Sequence, residues 1–189
     1  MMNEADKSEI AIVLIDVIND LEFPEGDQLL EAALPAARNI ARLTQRAREA
    51  KVPVIYVNDN FGRWRSDFKK IVDRCLHDDV RGRPIVELLV PDENDYFVLK
   101  PKHSGFFATP LATLLEHLGS RRLILTGISS HQCVMFTATD AYVRDFKLSI
   151  PSDCVAAESA SMEKLAQQYF KRVLGASLAQ SPRLRFSRT

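Results

Sequence analysis

The 189-residue chain predicts an α/β fold, a three-layer open, mostly parallel sheet of five or six strands flanked by helices. Three observations predict it. Apolar runs such as AIVLI (11–15) and VPVIYV (52–57) are short and nearly unbroken, as in strands buried on both faces. Segments with apolar residues three and four apart lie between them. The intervals are long enough for the helical crossovers that parallel neighbours require.

The first strand runs from Glu9 to Ile15 and is closed by Asp16. A helix follows over 32–50, where Ile40, Leu43 and Ala47 share a face and Pro35 is expected in the first turn, where its missing N–H costs little. VPVIYV supplies the second strand. The connection from Asn58 to Asp95 is polar, with helices expected around 67–76 and 84–89, and it is expected to cover part of the active-site end. Further strands are expected at 96–99, 123–126 and 147–150, with helices near 110–118 and 132–145. A last helix at 161–173 places Leu165, Tyr169 and Val173 four residues apart. No repeat or low-complexity linker divides the chain, so a single domain over 1–189 is expected, with 1–8 and 181–189 as flexible ends.

Composition narrows the function. Lys plus Arg and Asp plus Glu both number 25, leaving no excess charge to hold nucleic acid or an anionic membrane. No apolar run approaches the length of about 20 residues that crosses a bilayer. The N-terminus MMNEADKSE lacks the pattern of a secretory signal and three cysteines do not make a disulfide framework, so a cytoplasmic setting is expected. The first strand leads into IDVINDLEFPEG, so the fold is Rossmann-like without a dinucleotide fingerprint, and no cofactor is expected.

Open parallel sheets collect ligands beyond the carboxyl ends of their strands. Asp16 ends the first strand, Lys102 follows YFVLKP, and Cys133 follows LILTGISSHQ. Three distant segments thereby bring a carboxylate, an ammonium and a thiol toward one pocket. In this reading Cys133 is the nucleophile. Asp16 takes its proton and later helps activate water, while Lys102 orients both groups and stabilises developing negative charge. Backbone N–H groups in the turn before Cys133 are candidate oxyanion donors. Cys75 and Cys154 read as structural. His103 reads as a surface or supporting residue, and His131 is not established as a partner for the thiol.

The stretches AIVLIDVINDLEFP, YFVLKPKHSGFFATPL and LILTGISSHQCVMFTATDAYVRD resemble the isochorismatase-like cysteine hydrolase family, which includes nicotinamidases and N-carbamoylsarcosine amidohydrolases. The resemblance covers residues 10 to about 175. It implies an Asp-Lys-Cys triad carried by Asp16, Lys102 and Cys133, an acyl-thioester intermediate, and homodimers or homotetramers. It also implies a cis peptide between Ile128 and Ser129 that turns the Ser129 and Cys133 N–H groups toward the oxyanion. Family members that hydrolyse a vinyl ether do so without the cysteine, so Cys133 favours hydrolysis of a small carboxamide or related C–N bond. Metal-independent vinyl ether hydrolysis and a catalytically inactive binding or assembly module are the alternatives.

In the nicotinamidase branch, an Asp and histidines after the second strand commonly bind a metal. Here VNDNFGRWRSDF offers Asp59 at the acidic position but Phe61 where a histidine would serve, so no metal is expected. Asn19, Phe23, Phe61, Trp64 and Phe107 are the candidate substrate-binding residues, the aromatics as walls for a small planar or apolar carbonyl compound. Phe106 is a further aromatic candidate, Arg63 and Arg65 could meet a substrate carboxylate, and Asp20 could hydrogen-bond beside Asn19.

Overall fold

The structure, a computed structural model, describes residues 7–60 and 67–186. Six strands form one parallel sheet: Ile10–Ile15 (β1), Val54–Asp59 (β2), Tyr96–Lys100 (β3), Arg122–Ile128 (β4), Lys147–Ser149 (β5) and Val155–Ala156 (β6). Their order is β3-β2-β1-β4-β5, and β6 pairs with β4 beyond the end of β5. All six residues of β1 are buried, as its continuous apolar run requires of a central parallel strand.

Alternation along the strands sorts the core into two halves. Ile12, Leu14 and Tyr56 face the helices Gly26–Glu49 (α1), Phe68–His77 (α2) and Arg83–Leu88 (α3). Ala11, Val13, Ile15 and Val57 face Leu111–Leu118 (α4), Met135–Tyr142 (α5) and Ala160–Arg172 (α6). Each large side chain in these layers, fully buried, contributes about 1.5–3 kcal/mol of hydrophobic stabilisation. The three-layer α/β reading therefore holds.

Helix α1 corrects the expected boundary. It begins at Gly26 rather than at 32, because the buried stripe continues back through Ala33 and Leu29. A Cβ at residue 26 would lie 2.0 Å from the Leu21 carbonyl oxygen, so only glycine starts the helix this close to the preceding loop. Pro35 is consequently inside the helix and not in its first turn. Both Pro35 and Glu31, whose carbonyl loses its usual donor, are exposed, which leaves that carbonyl to water.

Residues 181–186 are tied to α1 and to Asp153. Ser181 is buried, its N–H and hydroxyl both donating to Asp153 at 2.8 and 2.7 Å. Arg46 donates to the carbonyls of Ser181 and Leu184 and lies over the Phe186 ring. At the other end, the Ser8 N–H donates to the Leu118 carbonyl at 2.9 Å. Among the described residues no helix is long and apolar enough to cross a membrane.

The chain builds β1, β2 and β3 outward in one direction, then returns to the other side of β1 for β4. Adjacent crossovers diverge at that reversal and open a crevice at the carboxyl ends of β1 and β4. Asp16 and the Cys133 segment leave the sheet there.

Candidate active site

Asp16 follows β1 with φ at 51°, in the left-handed region that aspartate tolerates better than most residues. Strand alternation stops at this residue. Beside it, Gly127 of β4 has φ at 115°, and a Cβ there would lie 2.1 Å from the Ile15 carbonyl oxygen. Only glycine allows β4 to approach β1 this closely next to the carboxylate.

The lysine that meets Asp16 is Lys100, the last residue of β3, with Nζ 2.8 Å from Asp16 Oδ2. Lys102, expected at this place, is exposed and has no ion pair there, so that assignment is corrected. The physical reason is register. Side chains two apart on a strand share a face, so Lys100 follows Val98 into the layer that also packs Cys133, whereas Lys102 lies beyond Pro101 and outside the strand. The Lys100 side chain is fully buried and that of Asp16 is 4% exposed, so each charge depends on the other. Asp59 Oδ2 adds a second carboxylate 3.6 Å from Nζ, and the Asp59 N–H donates to Asp16 Oδ1 at 2.7 Å.

Cys133 sits in a π-helical turn, Ser130–Val134, that runs straight into α5. Its Sγ is 3.5 Å from Lys100 Nζ and 3.6 Å from His103 Nδ1. The Ile128–Ser129 peptide is cis. The Ser129 carbonyl accepts from the Gln132 and Val134 N–H groups at 3.1 and 3.2 Å, which draws Ser129 and Cys133, the expected oxyanion donors, into one turn. Carboxylates brace this turn from outside. The buried Ser130 hydroxyl donates to Glu163 Oε2 at 2.7 Å, while His131 Nδ1 lies 2.9 Å from Ser129 Oγ and its Nε2 3.5 Å from Glu158 Oε1. Those contacts engage both ring nitrogens of His131 away from the sulfur.

Burial raises the Asp16 pKa above the ordinary carboxylate value, opposed chiefly by the Lys100 charge. Burial also raises the Cys133 thiol, and the Asp16 charge pushes it further in the same direction. For Lys100, burial works against the ammonium, but Asp16, Cys133 and Asp59 outweigh it and raise the pKa. These directions favour a protonated thiol and an ammonium beside a carboxylate of increased basicity. Such a group can accept the thiol proton while the ammonium stabilises the thiolate that forms.

The candidate substrate residues do not all gather here. Asn19 Oδ1 accepts the Leu21 N–H at 2.8 Å and so caps a turn, and Asp20 pairs with Arg74 at 2.9 Å. Phe23 and Phe107 are exposed, and Phe106 is buried in the α4–α6 layer. Phe61 and Trp64, with Arg63 and Arg65, lie outside the described residues. Cys75 and Cys154 are buried and free, with thiols that burial pushes up to about 11 and about 12. Two site members were not singled out from sequence: Lys100, and Asp59 as its second carboxylate. The alternation that carries Val98 inward was the available signal for Lys100.

Asp59 directs its carboxylate at Lys100, and among the described residues no three His, Cys, Asp or Glu side chains cluster in a way that could hold an ion.

Residues 10–179 match the model of the isochorismatase domain. The isochorismatase family protein YaaI of Bacillus subtilis is 39% identical over 177 residues, 94% of this chain and 95% of that protein. The ureidoacrylate amidohydrolase RutB of Methylorubrum extorquens is 27% identical over 140 residues, 62% of this chain and 55% of its own length. Among solved structures, N-carbamoylsarcosine amidase from Thermoplasma acidophilum superposes with a TM-score of 0.70 at 26% identity, over 94% of this chain and 99% of that one.

Proposed function

The chain belongs to the isochorismatase family of hydrolases, and from that premise we propose that it hydrolyses a small carboxamide or ureido-type C–N bond through an acyl-thioester on Cys133. The observation that carries the proposal is the contact of Cys133 Sγ with Lys100 Nζ at 3.5 Å, with Asp16 a further 2.8 Å beyond. Vinyl ether hydrolysis has no use for a thiol held in this way.

On substrate binding, the Cys133 proton moves to Asp16 as sulfur attacks the carbonyl carbon, and Lys100 offsets the charge on sulfur. The oxyanion is received by the Ser129 and Cys133 N–H groups. When the C–N bond breaks, the proton on Asp16 leaves with the nitrogen, and Cys133 is left acylated. Water then attacks the thioester carbon, releases the acid and returns the thiol. Two of the relatives are named for ureido or carbamoyl amides, which supports that substrate class here.

Self-association belongs to the same proposal. Phe136, Tyr142 and Val143 in and just after α5, and Leu165 on α6, are large apolar side chains left exposed on two helices joined by the Thr139–Tyr169 hydrogen bond. Light scattering on purified protein should give a dimer or tetramer, and a monomer at all concentrations would remove this part.

The deciding experiment screens nicotinamide, N-carbamoylsarcosine and ureidoacrylate for turnover, then quenches the reaction in acid and maps the acyl mass by peptide mass spectrometry. The expected adduct is on the peptide bearing Cys133. Unchanged turnover by Cys133→Ala would defeat the covalent reading.

A further inference from the structure

The sulfur of Cys133 has two kinds of neighbour. Lys100 and Asp16 are buried, and both carboxylate oxygens of Asp16 are already engaged, Oδ1 by the Asp59 N–H and Oδ2 by Lys100. His103 is exposed, with Nδ1 3.6 Å from Sγ. The imidazole therefore stands on the solvent side of the sulfur, where water can reach a thioester.

His103 is also held in place. Its ring lies 5.3 Å from that of Phe136, tilted by 32°. The next two residues are tied to the same helix: Ser104 donates to Asp140 through its hydroxyl, and the Gly105 N–H donates to Thr137 Oγ1 at 2.9 Å. The Phe106 N–H closes the loop onto Ser104 Oγ at 3.1 Å. Helix α5 begins directly after the turn that carries Cys133, so one rigid element sets the position of both sulfur and imidazole. That preorganisation is what a proton-transfer group needs.

We propose that His103 is the catalytic base of the second half-reaction. It takes a proton from the water that attacks the Cys133 thioester carbon, and it gives that proton to sulfur as the C–S bond breaks. The O–C bond forms, the C–S bond is lost, the acid leaves with the second water hydrogen, and the imidazole ends as it began. Asp16 serves the first half-reaction, in which the thiol gives up its proton on the buried side. The assignment rests on the acyl-thioester reading above.

The test uses 4-nitrophenyl acetate, whose nitrophenol burst reports acylation and whose steady rate reports deacylation. In His103→Gln the burst should stay within about twofold of the parent. The steady rate should fall about 100-fold, the usual contribution of a positioned base. Acetylated Cys133 should accumulate by mass spectrometry. In His103→Gly, added imidazole should restore the steady rate above that of imidazole with the Cys133→Ala protein, which a merely structural role would not permit. Burst amplitude counts folded sites in every variant. Burst and steady rate falling together, or neither changing, would overturn the role of His103 while leaving the covalent reading intact. Amide turnover unchanged by Cys133→Ala would overturn both.

Discussion

Lys100 Nζ lies 2.8 Å from Asp16 Oδ2 although β2 stands between the strands that carry the two residues. Parallel neighbours are about 4.8 Å apart, so the lysine stem must reach over the end of a whole strand. Asp59 marks the crossing, paired in register with Lys100 and 3.6 Å from its ammonium.

This geometry separates two lysines that lie two residues apart. Lys100→Met leaves the Asp16 carboxylate buried without its cation and should cost about 3–5 kcal/mol of stability, along with turnover. Lys102→Met alters an exposed side chain and should stay within about 0.5 kcal/mol of the parent. Combining Lys100→Met with Asp16→Asn removes the stranded charge, so much of the stability should return without activity. Urea denaturation followed by an amide turnover assay distinguishes all three, and equal effects of the two single lysine changes would contradict the register of β3.

The protonation of Cys133 can be read by alkylation. Its thiol is raised first by burial and then by the Asp16 charge, so at neutral pH it should react with iodoacetamide more slowly than a free cysteine. The rate should keep rising above pH 9 as the thiolate forms. Asp16→Asn removes a negative neighbour while Lys100 remains, which lowers the thiol pKa and should shift the alkylation profile to lower pH. A variant that hydrolyses nothing would thus carry the more reactive cysteine. Cys75 and Cys154 are buried whereas Cys133 is partly exposed, so labelling of the folded protein reports on Cys133. A profile moved to higher pH by Asp16→Asn would show that the carboxylate does not govern the thiol.

The strands and most helices were legible because their signals are local. β1 is a closed apolar run, α4 and α6 repeat at helical spacing, and Asp16 and Cys133 stand at strand and turn boundaries that sequence marks. The start of α1 was hidden by Pro35, whose preference for a first turn outweighed the weaker stripe through Leu29 and Ala33. Lys100 was hidden for a different reason: alternation from Val98 carries it inward, but solvation alone favours the lysine outside the strand. Its burial is stabilised by a carboxylate 84 positions earlier in the chain, a relation that exists only in three dimensions. The bracing of the Cys133 turn by Glu158 and Glu163 was out of reach for the same reason.

Chelation tests the divergence around Asp59. Phe61 stands in the sequence where a histidine would serve, the Asp59 carboxylate is 3.6 Å from Lys100 Nζ, and among the described residues no group of His, Cys, Asp or Glu could hold zinc. Dialysis against EDTA should leave amide turnover and the thermal midpoint unchanged. Activity lost on dialysis and restored by zinc would show that a ligand set assembles elsewhere around the pocket.

Glu163 offers a way to loosen the turn that carries Cys133 without touching the Asp16–Lys100–Cys133 cluster. Its Oε2 accepts the Ser130 hydroxyl at 2.7 Å, and its Oε1 accepts Gln167 Nε2 at 2.8 Å, so the first turn of α6 holds the first residue of the π-helical turn. Glu163→Ala leaves the fully buried Ser130 hydroxyl without its acceptor, a loss of about 1–3 kcal/mol. Glu163→Gln keeps an acceptor oxygen and should lose less. If the brace also sets the placement of Cys133, the nitrophenol burst should slow in Glu163→Ala while Glu163→Gln stays near the parent. A burst of parental rate in Glu163→Ala, with the stability loss present, would confine this contact to folding.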